Sequence, residues 1–251
     1  MTEILLTGCG GKMGRAVENA VSGKDGVRIS GGIDIRTDLG FDYPVFDSFD
    51  KVSGINVDVV IDFSNPSAFD PMMDYCLANK IPVVICTTGL SETQVDRIKE
   101  ASGIIPVFYS GNMSLGINLL TELAKTCAKV LGDSFDIEII EQHHNQKLDA
   151  PSGTALMIAD AIKSQLDDGT YYEYDRHVKR EKRNKQEIGI HAVRGGTIVG
   201  EHQVIFAGND EIITLSHSAR SKALFATGAV NAAVFMKDRQ AGLYDMSDML
   251  K

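Results

Sequence analysis

The first half of the chain alternates short apolar runs with stretches of helical spacing. Glu3 to Thr7 is apolar and ends in glycines, the mark of a buried strand. Met13, Val17 and Val21 then fall on one helical stripe. Asp25-Gly26 turns the chain, and Val27-Arg28-Ile29 opens a second strand that ends near Asp34. Further buried runs follow at Val57 to Phe63, Val83 to Ile85 and Ile105 to Tyr109. Between the last two, Ser91 with Gln94 three positions on has the spacing of a capping box, which predicts a helix start. Parallel neighbours need a crossover, so strands alternating with helices predict a doubly wound parallel sheet.

After a long helix predicted over Leu115 to Leu131, the pattern changes. Phe135, Ile137 and Ile139 alternate with Asp136 and Glu138, a half-exposed strand running to Glu141. A helix is predicted from Thr154 to Leu166, then three strand-like runs at Glu187–Arg194, Thr197–Ala207 and Glu211–Ser218. Gly195-Gly196 and Gly208-Asn209-Asp210 separate them, which predicts an antiparallel meander. The change near residue 113 marks a second, α+β domain on an open mixed or antiparallel sheet. The tail holds a helix near Lys222 to Phe235 and a short piece from Gly242 to Leu250.

The 251 residues are 43% hydrophobic and 24% charged, a globular composition. Basic side chains number 25 against 34 acidic ones, a net charge of −9 that disfavours a polyanion, so nucleic acid is not an expected partner. The longest apolar candidate for a membrane span, Ala223 to Met236, contains Asn231 and falls short of the roughly 20 residues required. Glu3 stands where a signal sequence would carry cations. Cys9, Cys76, Cys86 and Cys127 show neither CxxC nor metal-ligand spacing, so reduced thiols in a cytoplasmic protein are expected. Arg176, Lys179, Arg180, Lys182, Arg183 and Lys185 form a basic run, read either as a solvated connecting loop or as a cationic patch that draws in an anion.

Gly8-Cys9-Gly10-Gly11-Lys12-Met13-Gly14 joins the first strand to its helix. Such a turn points free amides and a positive helix end at one spot, where a diphosphate fits. The spacing is GxxGxxG rather than GxGxxG, since Met13 takes the third glycine's place. Asp34 stands about 20 residues beyond Gly14, the separation of an acid that binds the adenosine ribose. Together these predict a Rossmann-type nucleotide domain. The acid favours NAD, while Arg36 and Lys12 could each pair with a 2′-phosphate, so use of both NADH and NADPH is expected.

The run Glu141-Gln142-His143-His144-Asn145-Gln146-Lys147-Leu148-Asp149-Ala150-Pro151-Ser152-Gly153-Thr154-Ala155 lies between a strand and a helix. It gathers titratable donors beside a helix start, which suits a small dicarboxylate that must receive a proton. Adjacent histidines on extended backbone point opposite ways, so no metal site is expected.

This run resembles the E-x-H-H-x-x-K-x-D-A-P-S-G-T-A signature of the 4-hydroxy-tetrahydrodipicolinate reductase (dihydrodipicolinate reductase) family. The likeness extends through the glycine turn, Phe63-Ser64, Thr87-Thr88-Gly89, Asn112 to Asn118, Ile188 to Gly196, Gly200-Glu201-His202, Phe225 to Val230 and Gly242 to Met246. It implies NAD(P)H-dependent reduction of the cyclic product of the preceding synthase in lysine biosynthesis by the diaminopimelate route. By the same resemblance His143 is a proton donor and acceptor, Lys147 a proton donor, and His144, Gly153 and Thr154 hold substrate carboxylates. The cofactor would lie against Gly8, Cys9, Gly10, Gly11, Lys12 and Met13, with Asp34 on the ribose. Cys86, Thr87 and Thr88 would form a third contact, and Ser110, Gly111, Asn112 and Met113 would sit near the nicotinamide.

The resemblance further implies a nucleotide domain of residues 1–112 and 221–251. A substrate and oligomerisation domain of 113–220 would be inserted between them and would assemble into a homotetramer. Cys86 departs from the family's usual glycine, Lys222 from its usual arginine, and the loop from Arg176 to Lys185 lacks the usual glycines. Two rival readings are an amino-acid dehydrogenase of the same two-domain type and a non-catalytic nicotinamide sensor.

Overall fold

Each short apolar run of the first half becomes a strand of one parallel sheet in the computed structural model, which describes residues Met1–Lys251. The chain passes through β1 (Thr2–Thr7), α1 (Lys12–Ser22), β2 (Val27–Ile33), β3 (Val45–Phe46), β4 (Val59–Asp62), α2 (Phe69–Asn79), β5 (Val83–Ile85), α3 (Glu92–Ser102) and β6 (Pro106–Tyr109). It continues through α4 (Leu115–Leu131), β7 (Asp136–His143), α5 (Gly153–Lys163), β8 (Tyr171–Glu173), β9 (Glu187–Arg194), β10 (Gly200–Ala207) and β11 (Ile212–Ala219). It ends with α6 (Ala223–Met236) and β12 (Gly242–Tyr244). Two units result, Met1–Ser114 with Lys222–Lys251 and Leu115–Ser221.

The first unit's sheet has the order β12-β6-β5-β4-β1-β2-β3, every pairing parallel. The order reverses between β1 and β4, the switch point at which such sheets bind ligands beyond their strand ends. Alternation sends Ile4 and Leu6 to one face, with Val17 of α1 and Ala229 of α6. Leu5 goes to the other, with Met72 of α2 and Ile98 of α3. The capping box predicted at Ser91 and Gln94 is present in both directions. β3 and α2 were not legible: β3 has two residues, and Pro71 interrupts the pattern that begins α2.

The second unit's sheet has the order β11-β10-β7-β9-β8 and is mixed. Here the expected meander is corrected. β10 and β11 pair antiparallel, but β9 pairs in parallel with β7, so β7 lies between β9 and β10. The Gly195-Gly196 link explains why. Gly195 donates its amide to the His143 carbonyl (2.9 Å) and the Gly196 carbonyl accepts from Asn145 N (3.2 Å), so the chain crosses the end of β7 before β10 begins.

β8 and β9 are parallel neighbours and also need a crossing connection, which the basic loop provides. Arg183 straps it down, donating to Glu138 Oε1 (3.0 Å), Asp136 Oδ1 (3.1 Å) and the carbonyls of Ile137 (2.9 Å) and Glu187 (2.6 Å). Arg176 pairs with Glu187, Lys179 with Glu173 and Lys185 with Asp136. The run is thus a largely exposed connecting loop in which Arg176, Lys179, Arg183 and Lys185 are paired with acids.

Gly228 of α6 touches the carbonyl of Met113, where a side chain would overlap backbone. The Gly228→Ala substitution is expected to push α6 off the sheet and cost about 1–3 kcal/mol, as overpacking does. A thermal melt checks this; an unchanged Tm would mean that α6 yields freely.

Candidate active site

The ends of β1, β2, β5 and β6 share one edge of the parallel sheet, and every residue predicted to meet the cofactor lies there. Gly8 adopts φ +74°, open to glycine at low cost, and a Cβ on it would stand 2.5 Å from the Phe63 carbonyl oxygen. A Cβ on Gly10 would stand 2.8 Å from Asp34 Oδ2, and one on Gly14 would strike the carbonyls of Gly8 and Cys9. The turn therefore folds tightly only with glycines. Gly11 caps α1 without a side-chain bond, and no acid occupies the first turn. The amides of Lys12 and Met13 thus face outward at the positive helix end.

Asp34 is tied into this turn. Its Oδ2 accepts from Gly10 N (2.9 Å) and its Oδ1 from Arg36 N (3.1 Å). The Arg36 side chain is 62% exposed, its Nε 4.0 Å from Asp34 Oδ1. A cleft of about 1180 Å³ opens beside them, lined by Gly8, Gly11, Asp34, Arg36, Phe63 and Ser64 among others. These features fit a dinucleotide: a glycine cradle that a Cβ would fill, outward amides, and an acid beside a cation.

Not every predicted side chain can touch a ligand here. The Cys9 thiol is fully buried against Gly32, and burial pushes it up to about 11. Cys9 therefore offers backbone only, while Met13 is partly buried against the core. Burial also raises the Cys86 thiol, whose amide donates to the Asp62 carbonyl (2.9 Å). Thr87 is buried and Thr88 exposed at the end of β5. Beyond β6, Ser110 Oγ donates to the Asn112 carbonyl (3.3 Å), Asn112 Oδ1 accepts from Ser114 N (2.8 Å), and Met113 is buried. Gly111 lies exposed between them. Asp62 went unnoticed in the sequence. Wholly buried at the end of β4, it accepts from Ser64 N (3.1 Å) and Ser64 Oγ (2.5 Å) and shapes the Phe63-Ser64 turn.

In the second unit, His143 ends β7 and is nearly buried. Its Nδ1 lies 2.6 Å from Glu141 Oε2. Glu141 is fully buried and also receives Arg194 through both terminal nitrogens (2.8 and 2.7 Å) and Ser152 N (3.0 Å). Ser152 caps α5, accepting from Ala155 N (3.2 Å), and its Oγ lies 3.2 Å from His202 Nε2. Lys147 Nζ pairs with Asp149 Oδ1 at 2.8 Å. His144 keeps a buried Nδ1 without a partner, while Gly153 and Thr154 open α5 with no acid in the first turn and empty space beside Gly153. The structure thus brings His143, His144, Lys147 and the start of α5 into one loop region of this unit. No group of His, Cys, Asp and Glu is arranged to hold a metal ion.

Residues 2–113 match the family described as dihydrodipicolinate reductase, N-terminus, and residues 116–250 match dihydrodipicolinate reductase, C-terminus. The chain belongs to the dihydrodipicolinate reductase family. A 4-hydroxy-tetrahydrodipicolinate reductase of Clostridium novyi (strain NT) is 49% identical, over 100% of this chain and 99% of its own. One from Caldanaerobacter subterraneus subsp. tengcongensis is 51% identical over the same shares. Among solved structures, a dipicolinate-bound dihydrodipicolinate reductase from Paenisporosarcina sp. TG-14 is similar, with a TM-score of 0.79 and 26% identity. That match covers 98% of this chain and 97% of that one.

The activity is therefore NAD(P)H-dependent reduction of 4-hydroxy-tetrahydrodipicolinate with loss of water, in lysine biosynthesis by the diaminopimelate route. This sets aside the sensor and the amino-acid dehydrogenase. No helix is long and apolar enough to cross a membrane.

The electrostatics of this reductase's polar cluster follow from burial. Burial pushes the Glu141 carboxyl up, but bonds from Arg194, His143 and Ser152 outweigh it and hold it below the usual glutamate value. Burial lowers His143, opposed by Glu141 and reinforced by Lys147 and Arg194, with a net fall below the usual histidine value. Burial with His143 nearby drives His202 to about 4.

A depressed carboxyl contributes stability that is present above its unfolded pKa and lost as pH falls through its folded pKa. Tm is therefore expected to fall as pH drops below the usual glutamate range, and less steeply in Glu141→Gln. Thermal melts across acid pH check this; equal slopes would mean that Glu141 titrates alike in both states.

Proposed function

We propose that the first unit holds the dinucleotide, with its diphosphate on the outward amides of Lys12 and Met13 and its adenosine ribose on Asp34. Gly8, Cys9, Gly10 and Gly11 would line that turn. Cys86, Thr87 and Thr88, then Ser110, Gly111, Asn112 and Met113, would continue the site toward the nicotinamide. When bound, the nicotinamide supplies the hydride. Both nicotinamide cofactors are used: Asp34 suits the free ribose hydroxyls, and the exposed Arg36 guanidinium suits a 2′-phosphate.

In the second unit, the substrate carboxylates are held by His144, Gly153 and Thr154 at the start of α5. His143 and Lys147 move the protons. Expulsion of the ring hydroxyl as water needs a proton at the leaving oxygen, and hydride addition leaves negative charge on the conjugated nitrogen system. Cationic donors beside it stabilise that charge and then quench it. His143 is neutral in the free protein at neutral pH, and two substrate carboxylates nearby raise its pKa toward protonation.

The observation that carries this reading is the state of His143. One ring nitrogen is fixed on a buried carboxylate, and the other makes no hydrogen bond within the unit. The second unit also assembles the chain into a homotetramer through its open sheet, which ends at β11 with Ile212 exposed. A cytoplasmic location suits the four free thiols.

His143→Ala and Lys147→Ala are each expected to lower kcat by about 10²–10⁴-fold, the usual reach of a general acid, with little change in cofactor affinity. An assay on the synthase product checks this, and near-normal turnover in either variant would remove that residue from proton transfer. Asp34→Ala should weaken NADH more than NADPH, and Arg36→Ala the reverse. Michaelis constants for both cofactors decide; parallel losses would refute the division of labour.

A further inference from the structure

A carboxylate cut off from water must receive its hydrogen bonds from the protein, and those on Glu141 link several parts of the proposed site. Oε2 accepts from His143 Nδ1 (2.6 Å) and Arg194 Nη1 (2.8 Å), and Oε1 from Arg194 Nη2 (2.7 Å) and Ser152 N (3.0 Å). Arg194 Nη2 also reaches the Asp149 carbonyl (2.6 Å), whose own side chain holds Lys147.

Arg194 supplies the counter-charge, so Glu141 does not need a protonated His143 to stay ionised. A carboxylate can only accept, which fixes the proton of the neutral imidazole on Nδ1. Gly200 leaves room for the ring, since a Cβ there would stand 3.1 Å from His143 Nε2.

We propose that Glu141, anchored by Arg194, is a positioning residue for the reduction: it holds the Nδ1 proton of His143 inward, so that Nε2 alone exchanges protons with the substrate. This rests on the reading of His143 as a proton-transfer group.

The groups facing the imidazole are Glu141 from its own strand β7, Arg194 from β9, His202 from β10 and Lys147 from the loop. His202 adds no charge near neutrality, Arg194 and Lys147 oppose protonation of His143, and Glu141 favours it. Removing the Glu141 charge therefore moves the titration of His143 to lower pH.

The test is the kcat–pH profile of Glu141→Gln with the synthase product, in the wild-type and His143→Ala backgrounds. With His143 intact, kcat is expected to fall about 10²-fold, the lower end of a general acid's contribution, and by a larger factor than KM rises. The limb on which activity declines with rising pH should also move down. In His143→Ala, the added change should alter kcat less than about twofold, because residues acting as a unit are not additive. Wild-type kcat with an unmoved limb, or the same loss in both backgrounds, would overturn the proposal. Full activity of His143→Ala itself would instead strike down the reading beneath it.

A measurement on the unmodified protein covers the case in which Glu141→Gln does not fold. Imidazole ¹⁵N spectra, with the His143 signals assigned by their loss in His143→Ala, should show the Nδ1–H tautomer in the neutral state. The Nε2–H tautomer would refute the assignment.

Discussion

Acids near the C-terminal ends of strands organise both units. A carboxylate that loses water must be met by donors, and the nearest donors in a folded chain are backbone amides and long cations. Glu141 satisfies this with Arg194 from β9, the ring of His143 and the first amide before α5. It thereby fixes how the loop after β7 leaves the sheet. Asp62 in the first unit is met on one oxygen only, by the amide and hydroxyl of Ser64, and burial raises its carboxyl. Asp34 gathers the amides of Gly10 and Arg36. Tight polar turns follow from each.

Much of the fold was legible because its signals are local. β5 and α4 match their apolar patterns, and the capping box marks the start of α3. The order of β9 in its sheet was not legible. Gly195-Gly196 reads like a hairpin turn, yet its backbone bonds go to His143 and Asn145 rather than closing β9 onto β10. Strand partnership is a long-range choice, and nothing in the composition of the two runs records it. β8 escaped notice because it is three residues long and its partner arrives only after the basic loop.

The sequence singles out the residues proposed for the site more readily than the groups that support them. Its signature loop combines chemistry with spacing, and the glycines from Gly8 to Gly14 mark a tight strand-to-helix turn. The supports lie further apart. Arg194 is more than fifty positions from Glu141, and only the parallel register of β7 and β9 brings them together. One clue was present all along. The inward face of β7 runs Ile137, Ile139, Glu141, His143, and an acid continuing an apolar face must be met by partners. Cys9 shows the converse, a residue of the glycine motif whose side chain turns into the core.

The first unit is completed by residues that come after the whole of the other unit. α6 covers one face of its sheet with Ala226, Ala229, Ala233 and Met236, and β12 adds the strand beside β6. A nascent chain leaving the ribosome therefore carries a bare aliphatic surface on β1, β4 and β5 until its final stretch emerges. The second unit draws its core from its own residues alone, from Leu120 to Leu215, so its chain is complete before the first unit's last helix is made.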